Sequence, residues 1–355
     1  MATMNGAVFL GNRQLALRKF AVPEPGYGQV LVRMKASSLC GSDLRAIYRA
    51  SNWGTGPEAY QEVIGGHEPC GIIERIGPGV RRFKEGDRVV LYHIAGCGLC
   101  RDCRAGWMIS CSSPERAAYG WQRDGGHADF LLAEERTLVA LPDELTYLDG
   151  AMVACGIGTA YAACIRANVS GRDRVLVTGL GPVGIGIALL CQAMGARVVG
   201  VEAIPERLEL ARTLGIPEVV SSTEKDIAQI LREKTNGHGF EVTIDGSGNA
   251  NARHLCLELA REWGRVVFVG EGGTVEFEPS PLLLHKQLTL YGSWVCSIQQ
   301  MEDLVELLVR WNLHPDKMVT HRFTLDQVKE AYELFDTGKT GKVAIVWDVY
   351  SNSRY

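Results

Sequence analysis

A chain of 355 residues is roughly two or three times the size of an ordinary single domain, so one hydrophobic core does not organise all of it and two domains are expected. With 46% hydrophobic and 22% charged residues it has ample apolar surface to offset chain ordering, and nothing in its composition signals disorder. Lys plus Arg number 37 against 41 Asp plus Glu, a net charge of -4, which offers no general attraction to nucleic acid or an anionic membrane and argues against both as partners.

The first residues, MATMNGAVFLGNRQLALRKF, lack the basic flank, apolar core and cleavage site of a signal peptide, so a cytoplasmic protein is expected. Residues 1 to about 150 carry short apolar runs broken by Gly and Pro, such as QVLVRMKAS, CGIIERIG and DRVVLYHI, the pattern of an antiparallel body. From Arg174 the texture becomes strand, helix, strand, helix, through VLVTGLG, ARVVGVE and PERLELARTLG to FEVTIDGSG and RVVFVGEGG. That alternation predicts a parallel sheet with helical crossovers. The long uncharged stretch 175–196 contains five glycines and Pro182, and reads as strand, glycine turn and helix rather than a membrane span. After Tyr291 come two helices, around MEDLVELLVRW and Leu325 to Phe335, and a last strand, KVAIVWDV.

Eleven cysteines without an export signal are reduced thiols or metal ligands. Cys97, Cys100, Cys103 and Cys111 are spaced C-x2-C-x2-C-x7-C, and short C-x2-C turns deliver thiolates to one tetrahedral zinc with no open position, a structural site. The competing readings are a redox dithiol or free thiols. Cys40 in LCGSDLR, His67 and Glu68 in IGGHEPCG, and Cys155 in MVACGIGTA are far apart, and taken singly each is as well explained by packing. Together, two thiolates and an imidazole would leave a fourth position on a zinc for water or substrate oxygen, and Asp43 is placed to orient His67. Cys70, Cys164, Cys191, Cys256 and Cys296 read as small buried hydrophobes.

Gly179, Gly181 and Gly184 form G-x-G-x-x-G directly after a strand, with Pro182 and Val183 opening the helix. The glycines permit a tight turn, close pyrophosphate approach and helix–sheet packing, and the helix N-terminus receives the phosphates. Glu202 closes the second strand, where an acid accepts ribose hydroxyls and repels a 2′-phosphate, favouring NAD over NADP; Arg207 keeps NADP open.

These motifs together, CGSDLR, GGHE, the four-cysteine lobe, DGGHADFLL, ACGIGTAYAA, GLGPVG and GKVAIV, resemble the zinc-dependent medium-chain alcohol and polyol dehydrogenase family, with sorbitol- and threonine-dehydrogenase-like members, over nearly the whole chain. The resemblance implies an α/β architecture: an irregular antiparallel barrel-like (GroES-like) catalytic domain, 1–156 and 294–355, with a zinc lobe at about 96–112, and an inserted doubly wound Rossmann domain, 157–293. It implies two zincs per chain, Cys40, His67 and Cys155 on the catalytic one with Glu68 able to approach it, and a hydride passing between a zinc-bound alkoxide and NAD. Ser42 matches the hydroxyl that takes the substrate proton. Arg45 stands where many relatives have a relaying histidine, so either it tunes the field or another group, such as His93, replaces the relay. Gly41 stands where some relatives hold the diphosphate with Arg, leaving the loop amides and Lys342 for that task. Val269 and Trp294 match where the family cradles the nicotinamide. His93, Tyr119, Trp121 and Trp294 match pocket positions, Asn52 and Trp53 lie in a loop within reach of the pocket, and a polar and aromatic pocket points to a secondary alcohol of polyol or sugar type. The same frame serves threonine or simple alcohol dehydrogenases and biosynthetic ketoreductases; a non-enzymatic NAD- and zinc-binding protein is the alternative of another class. The family is commonly dimeric or tetrameric.

Overall fold

The computed structural model describes residues 2–49 and 63–347, and the positions Asn52 and Trp53 lie outside the described residues. The chain divides into two compact units, Met1–Gly158 with Cys296–Tyr355, and Thr159–Val295.

The first unit opens on a hairpin, Thr3–Gly11 with Gln14–Ala21. Its main sheet runs Val319–Phe323, Lys342–Val346, Gln29–Ser38, Glu68–Ile76, Arg88–Leu91 and Leu138–Ala140, with Phe130–Glu134 also paired to Gln29–Ser38. All these pairings are antiparallel except that of Val319–Phe323 with Lys342–Val346. Val30, Val32 and Met34 alternate along the central strand into one apolar cluster with Ile73, Val89 and Leu91, as the two-residue period of a strand requires. Register shifts at Leu31/Val32 and Met34/Ala36 bend that strand in the manner of bulges. Helix Val328–Asp336 buries Val328, Ala331, Tyr332 and Phe335, a spacing of three and four that makes one helical face, against Phe9, Leu39 and Tyr48.

The second unit is a six-stranded sheet ordered Glu218–Ser221, Arg197–Glu202, Arg174–Thr178, Phe240–Asp245, Ala260–Phe268, Thr289–Gly292. Every pairing is parallel. Strand order reverses direction beside Arg174–Thr178, the strand that leads into the glycine loop, so the loop sits at the switch point of a doubly wound sheet. Helices Pro182–Ala193, Pro205–Thr213, Ile227–Glu233 and Ala250–Leu259 alternate with the strands. Among the described residues no single helix is long and apolar enough to cross a membrane.

Candidate active site and metal centres

Among the described residues two groups of metal-ligating side chains form, each with one donor atom per residue and all donors within 4.8 Å of one another: Cys97, Cys100, Cys103 and Cys111, and Cys40, His67, Glu68 and Cys155. In the first, backbone amides turn onto sulfur: Leu99 and Cys100 donate to Cys97 Sγ at 3.4 Å each, Cys103 to Cys100 Sγ at 3.5 Å and Cys97 to Cys111 Sγ at 3.4 Å. Amide donors stabilise a thiolate, and those of Leu99 and Cys100 bring the Cys97 thiol down to about 6. Four converging sulfurs with amide support fit a tetrahedral zinc.

The second group follows from sheet register. Ser38 pairs with Glu68 across antiparallel strands, so Cys40, just past the end of one strand, faces His67, just before the start of the next. Gly65 and Gly66 permit that approach: a Cβ on Gly65 would stand 1.9 Å from the Phe9 ring, and Gly66 has φ of +90° with its absent Cβ 2.6 Å from His127. Cys155 enters from the break between helices Tyr147–Val153 and Gly156–Arg166. Two thiols and an imidazole with a carboxyl beside them are a donor set that fits zinc with an exchangeable position.

Around these donors the side chains are fixed. His67 Nδ1 lies 2.7 Å from Asp43 Oδ1, which leaves Nε2 for the cluster, and Trp121 Nε1 donates to the same Asp43 oxygen at 3.3 Å. Asp43 also accepts the Cys40 amide at 3.2 Å, closing a capping box on the short helix Gly41–Asp43. Ser42 Oγ stands 3.2 Å from Cys40 Sγ and 3.4 Å from His67 Nε2. His93 is buried with its ring centroid 5.2 Å from that of His67, and Nδ1 donates to the Ala154 carbonyl at 2.8 Å. Burial pushes its pKa down to about 4, so the ring is neutral and Nε2 keeps a lone pair. Burial lowers the Arg45 guanidinium from its ordinary value while the Cys40 charge opposes that shift.

Two of the expected residues are engaged inside the fold. Lys342, expected at the diphosphate, is 1% exposed and its Nζ lies 2.8 Å from Glu68 Oε1 and 2.5 Å from Oε2. Antiparallel pairing of Ala344 with Ser38 carries it to Glu68, and Ser38 Oγ donates to the same carboxylate. Burial pushes Glu68 up to about 7 against the pull of Lys342. Tyr119, expected in the substrate pocket, is wholly buried in the core cluster; its hydroxyl accepts the Glu134 amide at 3.0 Å and its ring carries the Arg123 guanidinium at 4.3 Å. The hydroxyl's need for a partner is met inside the fold.

In the second unit Gly179 has φ of +79°, and a Cβ on Gly184 would stand 1.8 Å from the Gly179 carbonyl oxygen. Gly181 caps helix Pro182–Ala193, with Pro182 at its first turn, Val183 following and Gly184 buried against the strand. Glu202 accepts the Leu180 amide at 2.8 Å and those of Ala203 and Ile204 at 2.7 and 3.1 Å. It therefore fastens the glycine loop to the second strand, while Arg207 Nη1 lies 3.8 Å away. Val269 is buried, its amide on the Asp245 carbonyl, and Trp294 is half exposed. Asp245, which the sequence reading passed over, accepts from Thr178 Oγ1, from Ser247 N and Oγ and from Gly248 N. An acid closing a strand before Gly-Ser-Gly was the available signal.

Two family models match: the alcohol dehydrogenase GroES-like domain over residues 26–143 and the zinc-binding dehydrogenase over 182–310. The uncharacterized zinc-type alcohol dehydrogenase-like protein YphC of Escherichia coli K12 is 51% identical, covering 97% of this chain and 99% of its own. L-threonine 3-dehydrogenase of Shewanella putrefaciens CN-32 is 30% identical over 92% of this chain and 94% of its own. The solved alcohol dehydrogenase TADH of Thermus sp. ATN1 superposes with a TM-score of 0.86 at 28% identity, covering 96% and 99% of the two chains. Identity sustained from one end of the relatives to the other, on a sheet pair of this topology, means that the chain belongs to the zinc-dependent medium-chain alcohol dehydrogenases, oxidoreductases of CH–OH donors that use zinc and a nicotinamide dinucleotide.

Proposed function

We propose that the protein interconverts a secondary alcohol of polyol or sugar type and its ketone with NAD, using Cys40, His67 and Cys155 as ligands of the catalytic zinc and the four-cysteine lobe as the structural site. The observation that carries this reading is the convergence of those three donors and Glu68 from separate elements, with the Ser42 hydroxyl beside Cys40 and His67. Zinc in that set supplies a Lewis acid that makes an alcohol hydroxyl acidic. Ser42 takes the hydroxyl proton and passes it to water, since Arg45 cannot act as a base at neutral pH. Arg45 instead places positive charge near Cys40. Lys342 and Ser38 hold Glu68 in place. The free Nε2 of His93 accepts a hydrogen bond from a second substrate hydroxyl, which favours a polyol over a plain alcohol. The glycine-loop amides and the helix N-terminus take the diphosphate, Glu202 the adenosine ribose, and Val269 and Trp294 the nicotinamide end.

A second reading, oxidation of L-threonine, is favoured by the threonine dehydrogenase relative. A homodimer or homotetramer in the cytoplasm completes the proposal. Turnover of NAD(H) and NADP(H) should be measured against polyols, sugars, threonine and simple alcohols, with zinc per chain determined on the same sample. Two zincs and NAD-linked polyol oxidation are expected. Preference for threonine would replace the substrate class, and one zinc with no turnover would sink the Cys40, His67 and Cys155 assignment.

A further inference from the structure

The carboxylate that orients His67 is itself held from its far side. Asp43 Oδ1 faces His67 Nδ1, and Oδ2 accepts the Tyr332 hydroxyl at 3.2 Å. The Tyr332 oxygen in turn lies 2.9 Å from His127 Nε2. Charge on Asp43 fixes the direction of this chain: the Tyr332 hydroxyl donates to the carboxylate, so His127 donates from Nε2 to the Tyr332 oxygen. The remaining ring nitrogen, His127 Nδ1, is buried without a hydrogen-bond partner, as the lone-pair side of that tautomer would be. Burial pushes the pKa of His127 down to about 4, which keeps the ring neutral.

Asp43, Tyr332 and His127 are fully buried and His67 nearly so. They come from four separate segments, and Tyr332 sits on helix Val328–Asp336, with its ring edge-on to Phe9 at 5.0 Å and against Tyr48 at 5.3 Å. A buried apolar core takes a phenyl ring as readily as a phenol, so packing alone does not call for the hydroxyl or the imidazole. Hydrogen bonds of this kind behind a metal-ligating histidine set its orientation and basicity.

We infer that Tyr332 and His127 are positioning residues that act through Asp43 to hold His67 on the catalytic zinc, joining the C-terminal helix to the metal site. This rests on the proposal that Cys40, His67 and Cys155 ligate that zinc. The test is zinc release from the holoenzyme into a chromogenic chelator. Wild-type protein should lose its two zincs in two phases, and Cys40→Ala should retain only the phase of the four-cysteine lobe. Tyr332→Phe removes one oxygen and keeps the ring. It should speed the other phase by about tenfold, with the lobe phase unchanged, and alter the visible spectrum of the cobalt-substituted protein at the same site. His127→Leu should behave alike, and His127→Gln, which keeps an N–H donor, should restore the slow phase. Unchanged release in Tyr332→Phe, or equal acceleration of both phases, would overturn the inference. A wild type holding only the lobe zinc would fail the ligand assignment itself, and the inference would fall with it.

Discussion

A methyl group added at Gly184 has nowhere to go, since it would lie 1.8 Å from the Gly179 carbonyl oxygen. Gly184→Ala must therefore spread the loop that aims its amides at the diphosphate. We predict a loss of NADH affinity of about tenfold or more, with zinc content unchanged; a fluorescence titration that found wild-type affinity would dissociate the loop from the dinucleotide. Ser42→Ala tests the proton path. Its kcat should fall by roughly a hundredfold with little change in NADH binding, the scale of a lost proton-transfer group, and an unaffected kcat would remove Ser42 from that role. How much of this could be read in advance differs by residue. The four-cysteine lobe is legible because all its ligands fall within residues 97–111, so local turns suffice to bring them together. Cys40 and His67 are brought together by strand register and Cys155 by a helix break, so no spacing in the sequence shows their proximity; their chemistry makes them a possible donor set and resemblance makes it a specific one. Tyr332 and His127 had no signature, because a buried polar pair on an apolar face looks like any other core position until its partners are known.

Along the strands, side chains opposite one another decide what a sheet tolerates. Arg174, which opens strand Arg174–Thr178, and Glu241, the second residue of the neighbouring parallel strand Phe240–Asp245, stand one residue before the pair Val175 and Val242. Glu241 accepts Arg174 Nη2 at 2.8 Å, Nε at 3.0 Å and the Arg174 amide at 2.8 Å, and Arg261 Nε lies 3.2 Å away. Burial alone would raise the carboxyl, but the bonds from Arg174 prevail and hold it at about 2 against an ordinary 4.5. A value lowered by folding means that the contribution is complete above the ordinary pKa and is lost as pH falls towards the folded one. Glu241→Gln should thus cost about 2 kcal/mol at pH 7, with the gap to wild type closing between pH 4.5 and about 2. Denaturant melts across that range check this, and a gap independent of pH would mean that the carboxylate's charge contributes nothing. The existence of these strands was legible from their apolar runs. Their partners were not, since the return of Lys342–Val346 beside Gln29–Ser38 joins distant parts of the chain, and it is this pairing that brings Lys342 to Glu68.

At the scale of the molecule, the change of texture at Arg174 marked the parallel sheet because βαβ units write their period locally. Assigning the last residues to the first unit needed resemblance, since no pattern in KVAIVWDV names its neighbour. The division has a thermodynamic consequence. The apolar clusters around Phe9 and Val30 belong to the first unit, and those around Leu176 and Cys256 to the second. Both metal-ligating groups fall in the first unit and the whole glycine motif in the second. A ligand that binds only the folded form of its own unit stabilises that unit by mass action, by about 2.7 kcal/mol at a hundred times its dissociation constant. In calorimetry, NADH should therefore raise one unfolding transition by about 5–10 °C and leave the other in place, while stripping zinc with a chelator should lower the transition that NADH left unmoved. Ser297→Ala, which removes the hydroxyl capping helix Ile298–Trp311 in the first unit, identifies that transition independently, because loss of such a cap costs about 1 kcal/mol. A single transition displaced by NADH, chelator and cap variant alike would mean that the two units unfold as one cooperative body.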